Sequence, residues 1–227
     1  MTALPSGTVT FVFSDIEGST TLLKRLGTRY AEVIAEHRRI VRETFGAQGG
    51  VEIDTQGDSF FYAFASARDG VGAAVAVQRA HADHAWPDGA PVRVRIGLHT
   101  GEPAVIEEGY VGVDVVRAAR LAATGQGGSV LLSESTRALL GSSLPEGVSV
   151  HALGERRLKD IDEPERIYEL EIDGVDQAAG ALPATSEADA ESKWERRAAE
   201  LDARLSEKIN ESVYRSLERS LGLREHD

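Results

Sequence analysis

Two aspartates and two arginines in this 227-residue chain stand where their surroundings could turn them to chemistry. Asp15 follows the run Val9-Thr10-Phe11-Val12-Phe13 and precedes Glu17-Gly18-Ser19-Thr20, a small-residue turn at the start of an amphipathic stretch. The N–H groups and dipole of a helix N-terminus favour anions, so a strand-end carboxylate beside such a turn marks a place where phosphates can be cradled. The same pattern serves equally well for an aspartate that only caps a helix. Asp58 lies in Gln56-Gly57-Asp58 between two strand-like runs, where an aspartate is ordinary turn chemistry. Taken together, the two carboxylates can meet at adjacent strand ends. They would repel there unless they shared a divalent cation, and oxygen-only ligands suit Mg2+ with a polyphosphate. Arg117 and Arg120 are three apart on one face of a helix and in the ordinary case are solvated. Facing a phosphate, one of them would stabilise charge building up in a transition state.

The elements that must position these groups alternate at close spacing from Thr8 to Tyr168. A first strand over Val9 to Phe13 stops at Ser14-Asp15, and a short helix carries Leu22, Leu23 and Leu26. A second helix runs from about Arg29 to Phe45 with Val33, Ile34, His37, Ile40 and Val41 on its apolar stripe. Val51 to Thr55 and Ser59 to Phe64 form a hairpin. Further on come a helix over about Ala67 to His84, a strand over Val92 to Leu98 and a helix over Val113 to Ala123. The series ends with a short strand at Val130 to Leu132, a small helix capped by Ser133-Glu134-Ser135-Thr136, and strands near Val148 to Leu153 and Arg166 to Leu170. Hairpins mixed with helical crossovers predict an α+β fold with a ferredoxin-like βαββαβ core in place of a purely parallel sheet. Residues 1–172 read as this domain and 173–192, poor in large apolar groups, as a flexible linker. Residues 193–227 read as one amphipathic helix that needs a partner for its stripe: the core domain, another protein, or its own copy in a dimer.

Composition narrows the field. With 37 acidic against 25 basic residues the formal charge is −12, which opposes nucleic-acid binding. The absence of cysteine excludes disulfides, a cysteine-based zinc finger and a thiol nucleophile. No apolar run approaches the roughly 20 residues of a membrane span. The N-terminus lacks a basic start with an apolar core, so a cytoplasmic protein is expected. Gly70-Val71-Gly72 does not follow a strand, so it is no dinucleotide loop, and Val71, Val75 and Val77 read as core. His99 reads as a hydrogen-bonded structural histidine, and the six histidines show no metal-ligand spacing.

Three further segments sharpen the picture: Arg95-Ile96-Gly97-Leu98-His99-Thr100-Gly101, the run from Gly109-Tyr110-Val111-Gly112 to Arg120-Leu121, and Leu158-Lys159-Asp160-Ile161-Asp162-Glu163-Pro164 with Glu165 to Leu170. In this order and spacing, over about residues 8 to 171, the segments resemble the class III adenylate/guanylate cyclase catalytic domain family. They are most similar to its actinobacterial branch.

The resemblance implies a head-to-tail homodimer with shared sites that converts a nucleoside triphosphate to the 3′,5′-cyclic monophosphate and pyrophosphate. It assigns two Mg2+ or Mn2+ ions to Asp15 and Asp58, with the carbonyl of Ile16 completing a metal shell. Phosphates fall to Glu17, Gly18, Ser19, Thr20 and Lys159, and Arg120 from the partner chain becomes the transition-state arginine. Three positions depart from the family pattern. Val116 stands where an asparagine orients the ribose, and Asp54 and Gly109 stand at the base-reading lysine and its acidic partner. Arg117 or Gln56 could substitute for what is missing. An acidic residue at position 54 resembles the guanylate-selective pattern; pointing at solvent, it would leave base selection loose. ATP ranks first as substrate on family grounds, with GTP or relaxed specificity next. A rival reading is a degenerate domain that binds nucleotide or only dimerises, signalling through the tail helix.

Overall fold

β-Branched and aromatic residues crowd the runs 9–13 and 59–64, and these become interior strands of the sheet. The computed structural model describes residues 3–106 and 109–177. Along them run β1 (Val9–Ile16), α1 (Ser19–Leu26), α2 (Tyr30–Ala47), β2 (Val51–Gln56), β3 (Ser59–Phe64), α3 (Ala67–Asp83) and β4 (Val94–Gly101). Then follow β5 (Ala104–Ile106), β6 (Gly109–Val111), α4 (Val113–Thr124), β7 (Val130–Ser133), α5 (Glu134–Leu140), β8 (Val148–Arg156) and β9 (Glu165–Ile172). Seven strands share one sheet in the order β2-β3-β1-β4-β7-β9-β8. Only β4 and β7 pair in parallel; the other neighbours are antiparallel, which makes this the expected α+β architecture. The hairpin β5–β6 was not anticipated, because its strands have three residues each and give too short an alternation to read.

β1 also runs three residues further than its β-branched stretch suggests. β4 lies along it and pairs Ser14 with Ile96, Asp15 with Arg95 and Ile16 with Val94, so the ladder carries the polar residues with it. Asp15 is therefore inside the strand, opposite the second residue of β4.

Alternation sends the two sets of side chains to opposite faces. Val12, Ile16, Phe60, Tyr62, Phe64, Ile96 and Leu98 pack in one core with α1, α2 and α3. Val9, Phe11, Phe13 and Phe61 form the other core beneath α4, closed by Tyr110 of β6, with Phe13 and Phe61 stacked at 4.3 Å. Asp15 continues the second set, and so does Arg95 relative to Gly97. The close seat of α4 on β4 depends on that glycine: a Cβ at Gly97 would meet the Ala122 Cα at 2.6 Å and its backbone nitrogen closer still.

Residues 173–177, the start of the expected linker, lie on the domain. Val175 packs against the larger core, and the Gln177 amide donates to the carbonyls of Gly128 (3.0 Å) and Leu170 (2.9 Å). The remainder of the linker and the amphipathic helix 193–227 lie outside the described residues. Among the described residues no helix is long and apolar enough to cross a membrane.

Candidate active site

One end of the sheet collects the carboxylates. Gly57 takes φ +63° in the turn between β2 and β3, a left-handed conformation that suits glycine, and this turns Asp58 inward to 2 % exposure. The Asp58 Oδ2 accepts the backbone N–H of Ile16 at 3.2 Å, so the hairpin is fastened beside Asp15. Asp15 in turn sits in the fork of Arg95, with Nε donating to Oδ1 at 2.6 Å and Nη2 to Oδ2 at 2.8 Å. Burial works against the Arg95 charge, but the hydrogen bond to Asp15 and the charges of Asp15, Glu17 and Asp58 hold its pKa above the usual arginine value.

Helix α2 supports the hairpin from behind. His37 Nε2 donates to the Asp58 carbonyl at 2.8 Å, and the Arg38 guanidinium donates twice to the Gly57 carbonyl at 2.9 and 2.7 Å. His37 Nδ1 is 2.9 Å from His81 Nε2 on α3, and His81 Nδ1 donates to the Val77 carbonyl at 2.8 Å. Burial pushes His37 down to about 4; burial and then the neighbouring His37 push His81 to about 3. At the start of α2, burial first and the nearby Asp58 charge second raise the Tyr30 phenol.

The arginines gather elsewhere, against the start of β9 and the segment before it. Arg120 is 3 % exposed: its Nη2 donates to Asp160 Oδ2 at 2.6 Å and its Nε to the Lys159 carbonyl at 3.2 Å. Arg117 pairs with Glu165 at 3.4 Å, so both arginines do share one helix face, but that face is turned to their own chain. Asp160 holds φ +60°, one of two non-glycine residues in the left-handed region among those described. The buried His99 fixes the other end of α4 to β4: Nε2 faces Asp114 Oδ1 at 3.0 Å and Nδ1 faces Ser133 Oγ at 2.9 Å. The His99 hydrogen bond is the main cause holding the Asp114 carboxyl below its usual range.

The remaining positions fall between these groups. Gly18 is the left-handed N-cap of α1 without a side-chain cap, Ser19 is half-buried and Thr20 exposed. Glu17 is exposed, and its Oε1 accepts the Gly127 N–H at 2.9 Å. Asp54 is half-buried on β2 with Oδ1 accepting the N–H of Thr55, Gln56 is exposed, and a Cβ on Gly109 would lie 3.3 Å from Ile53 Cγ2. Gly109 thus lies against Ile53, the residue before Asp54 on β2. Val116 is half-buried and packs against two apolar clusters, and Lys159 is exposed.

Sequence reasoning missed Arg95, Asp160 and the His37–His81 pair as parts of this region. A signal existed for two of them: Arg95 interrupts the apolar alternation of β4 opposite Asp15, and His37 falls on an apolar stripe, where a polar ring must find partners.

Among the described residues no three His, Asp or Glu side chains gather as a closed metal cage. The donor chemistry still fits a hard cation. Two carboxylates and the Ile16 carbonyl are all oxygen donors at one strand end, and Mg2+ is commonly held by one or two carboxylates with phosphate and water supplying the rest. Carboxylate oxygens each carry two lone pairs, so a guanidinium and a metal can be served together.

Residues 1–171 match the family described as the Adenylate and Guanylate cyclase catalytic domain. An uncharacterized Mycobacterium tuberculosis protein is 38% identical over 168 residues, covering 73% of this chain and 56% of that protein. A receptor-type adenylate cyclase of Trypanosoma equiperdum is 28% identical over 204 residues, covering 71% and 44%. The chain thus spans about half the length of the curated relatives it matches. Among solved structures, a Trypanosoma brucei adenylate cyclase in its monomeric state shares 26% identity at a TM-score of 0.72, covering 82% of this chain and 98% of that one. The guanylate cyclase domain of RhGC from Catenaria anguillulae, solved with GTP, has the same fold at a TM-score of 0.64 and 20% identity, covering 75% and 99%.

Proposed function

The chain belongs to the adenylate and guanylate cyclase catalytic domain family, and from that premise we propose that it cyclises a nucleoside triphosphate to the 3′,5′-cyclic monophosphate, the second messenger, with pyrophosphate as the leaving group. The observation that carries this reading is the convergence of Asp58 on the Asp15–Ile16 strand end. Asp15, Asp58 and the Ile16 carbonyl would hold two Mg2+ or Mn2+ ions, which when bound supply Lewis acidity at the ribose 3′-oxygen and the phosphates. The backbone at Glu17 to Thr20 and the exposed Lys159 would orient the triphosphate. Arg120, delivered by the partner of a head-to-tail homodimer, would stabilise charge at the α-phosphoryl group as the 3′-oxygen bond forms and the pyrophosphate bond breaks. To do so it exchanges Asp160 for a phosphate oxygen. Asp54 offers acceptors to a base N–H; ATP ranks first, with GTP or relaxed specificity next. Val116 supplies no donor to the ribose, and losing one such donor costs roughly 10²–10³ in rate, so turnover is slow. That apolar position favours the rival reading, a non-catalytic nucleotide-binding or dimerisation module.

Incubation with Mn2+ and each of the four nucleoside triphosphates, read by mass spectrometry, should give a cyclic product; none at high protein concentration overturns the enzyme reading. Asp58→Ala and Arg120→Ala should each lower the rate at least about 10²-fold. Mixing the two variants should restore part of the activity through one intact hybrid site, and failure to do so counts against shared sites.

A further inference from the structure

Arg95 stands opposite Asp15 in the β1–β4 ladder and grips both carboxylate oxygens, at 2.6 and 2.8 Å. Its remaining terminal nitrogen, Nη1, donates to the Ala123 carbonyl at 3.3 Å, near the end of α4 and three residues beyond Arg120. The guanidinium therefore lies between the strand that carries a proposed metal ligand and the helix that carries the proposed transition-state arginine. A planar fork on a carboxylate fixes that carboxylate's rotamer, and the charge of arginine does not titrate away. A fixed positive charge in contact with a metal ligand acts in two opposite directions. It repels a bare divalent cation arriving at Asp15, and it attracts the net negative complex of that cation with a nucleoside triphosphate.

We infer that Arg95 is a positioning residue that keeps Asp15 in register without metal, weakens the site for the bare divalent ion and strengthens it for the metal–nucleotide complex. Metal and nucleotide then enter together, and the two carboxylates need no resident ion to stay folded side by side. This rests on the reading of Asp15 and Asp58 as metal ligands.

The probe is Mn2+ alone, followed by the electron paramagnetic resonance signal of the free ion, on the full chain. Arg95→Gln should bind Mn2+ at least about tenfold more tightly than the wild type, because removing one unit charge near a divalent ion is worth more than a factor of ten even at high dielectric. Arg95→Lys, which loses the fork but keeps the charge, should stay within about threefold of wild type. Binding of the α,β-methylene analogue of ATP with Mn2+ should move the other way, weakening at least about fivefold in Arg95→Gln. A structural role alone would weaken both bindings together. Unchanged or weaker Mn2+ binding in Arg95→Gln overturns the inference. Should that variant fail to fold, the wild type decides: its Arg95 Nε–H proton resonance should shift on titration with Mg2+, and a resonance that stays in place overturns the inference as well. Asp58→Asn separates the two layers of argument. Wild-type Mn2+ binding in Asp58→Asn overturns the metal-ligand reading itself. Loss of binding there, with no gain in Arg95→Gln, overturns only the role of Arg95.

Discussion

The carboxylate half and the arginine half of the candidate site are built by opposite means. Asp15 stands on an interior strand and Asp58 in the turn that leads into another, and each is fastened by elements far away in sequence: Arg95 of β4, the Ile16 amide, and His37 with Arg38 of α2. Arg120 stands on one helix and is held by the segment around Lys159 and Asp160, between two strands at the sheet's far edge. Yet both halves meet the same electrostatic demand. A buried charge is costly unless paired, and in each half a counter-charge of the same chain supplies the pairing. A single chain thus carries Asp15 and Arg120 already paired. On the proposed reading a phosphate must offer Arg120 a better interaction than Asp160 does, whereas Asp15 can keep Arg95 while it takes a metal.

The halves touch where α4 crosses β4, and this is the place to separate them. Gly97→Ala puts a methyl group against the Ala122 backbone, which no rotamer change relieves. Overpacking typically costs 1–3 kcal/mol, and a clash with helix backbone belongs at the upper end, so we expect a loss of about 3 kcal/mol in denaturant unfolding. Hydrogen exchange should rise over 113–124 while the amide of Ile16 stays protected. Equal loss of protection in both regions would show that the halves form one cooperative unit.

The same contrast explains what the sequence could disclose. Asp15 and Asp58 could be picked out as candidates from local punctuation, the end of a β-branched run and a Gly-Asp turn, whereas only the family resemblance set Arg120 apart from Arg117. Their element types were legible too, since Val33, His37, Ile40 and Val41 or Phe60, Tyr62 and Phe64 repeat with the right period. What holds the groups in place was not. The partners Arg95–Asp15, His37–His81 and Arg120–Asp160 are 80, 44 and 40 residues apart, and no local pattern states which strand will lie beside which. The length of β1 was misjudged for the same reason, because β4 sets it.

Acid should distinguish the halves more gently. Burial lowers both His37 and His81. Each also gives one N–H to a carbonyl, so the facing nitrogens at 2.9 Å form a hydrogen bond only when the pair keeps one proton. With that proton shared, the folded pair binds one proton while the two unfolded histidines together bind about half a proton at pH 7 and nearly two at pH 5. The unfolded chain holds the excess below about pH 6.5, and stability should fall by about 1 kcal/mol from pH 7 to 5, in a window above that of ordinary carboxylates. The Asp58 hairpin behind which the pair sits should lose protection before α4 does. A loss of about 3–4 kcal/mol over the same range would mean that both folded rings are neutral.

The smallest expected effect concerns the arginine half alone. Asp160 sits at φ +60°, where a side chain costs about 1 kcal/mol and glycine nothing, while a glycine adds a comparable entropy to the unfolded chain. Asp160 is also 62% exposed on its side chain, so its pairing with Arg120 is screened on one side and worth about 1 kcal/mol at most. These terms nearly cancel, and Asp160→Gly should leave unfolding free energy within about 1 kcal/mol of wild type. Catalysis should respond where stability does not. Arg120 would no longer have to give up an anion before meeting a phosphate, and the rate of cyclic product formation should rise several-fold with little change in Mn2+ affinity at the carboxylate half. A loss of more than about 2 kcal/mol would instead make Asp160 the anchor of Arg120, comparable to what Arg95 is for Asp15, and the two halves would then be alike in kind.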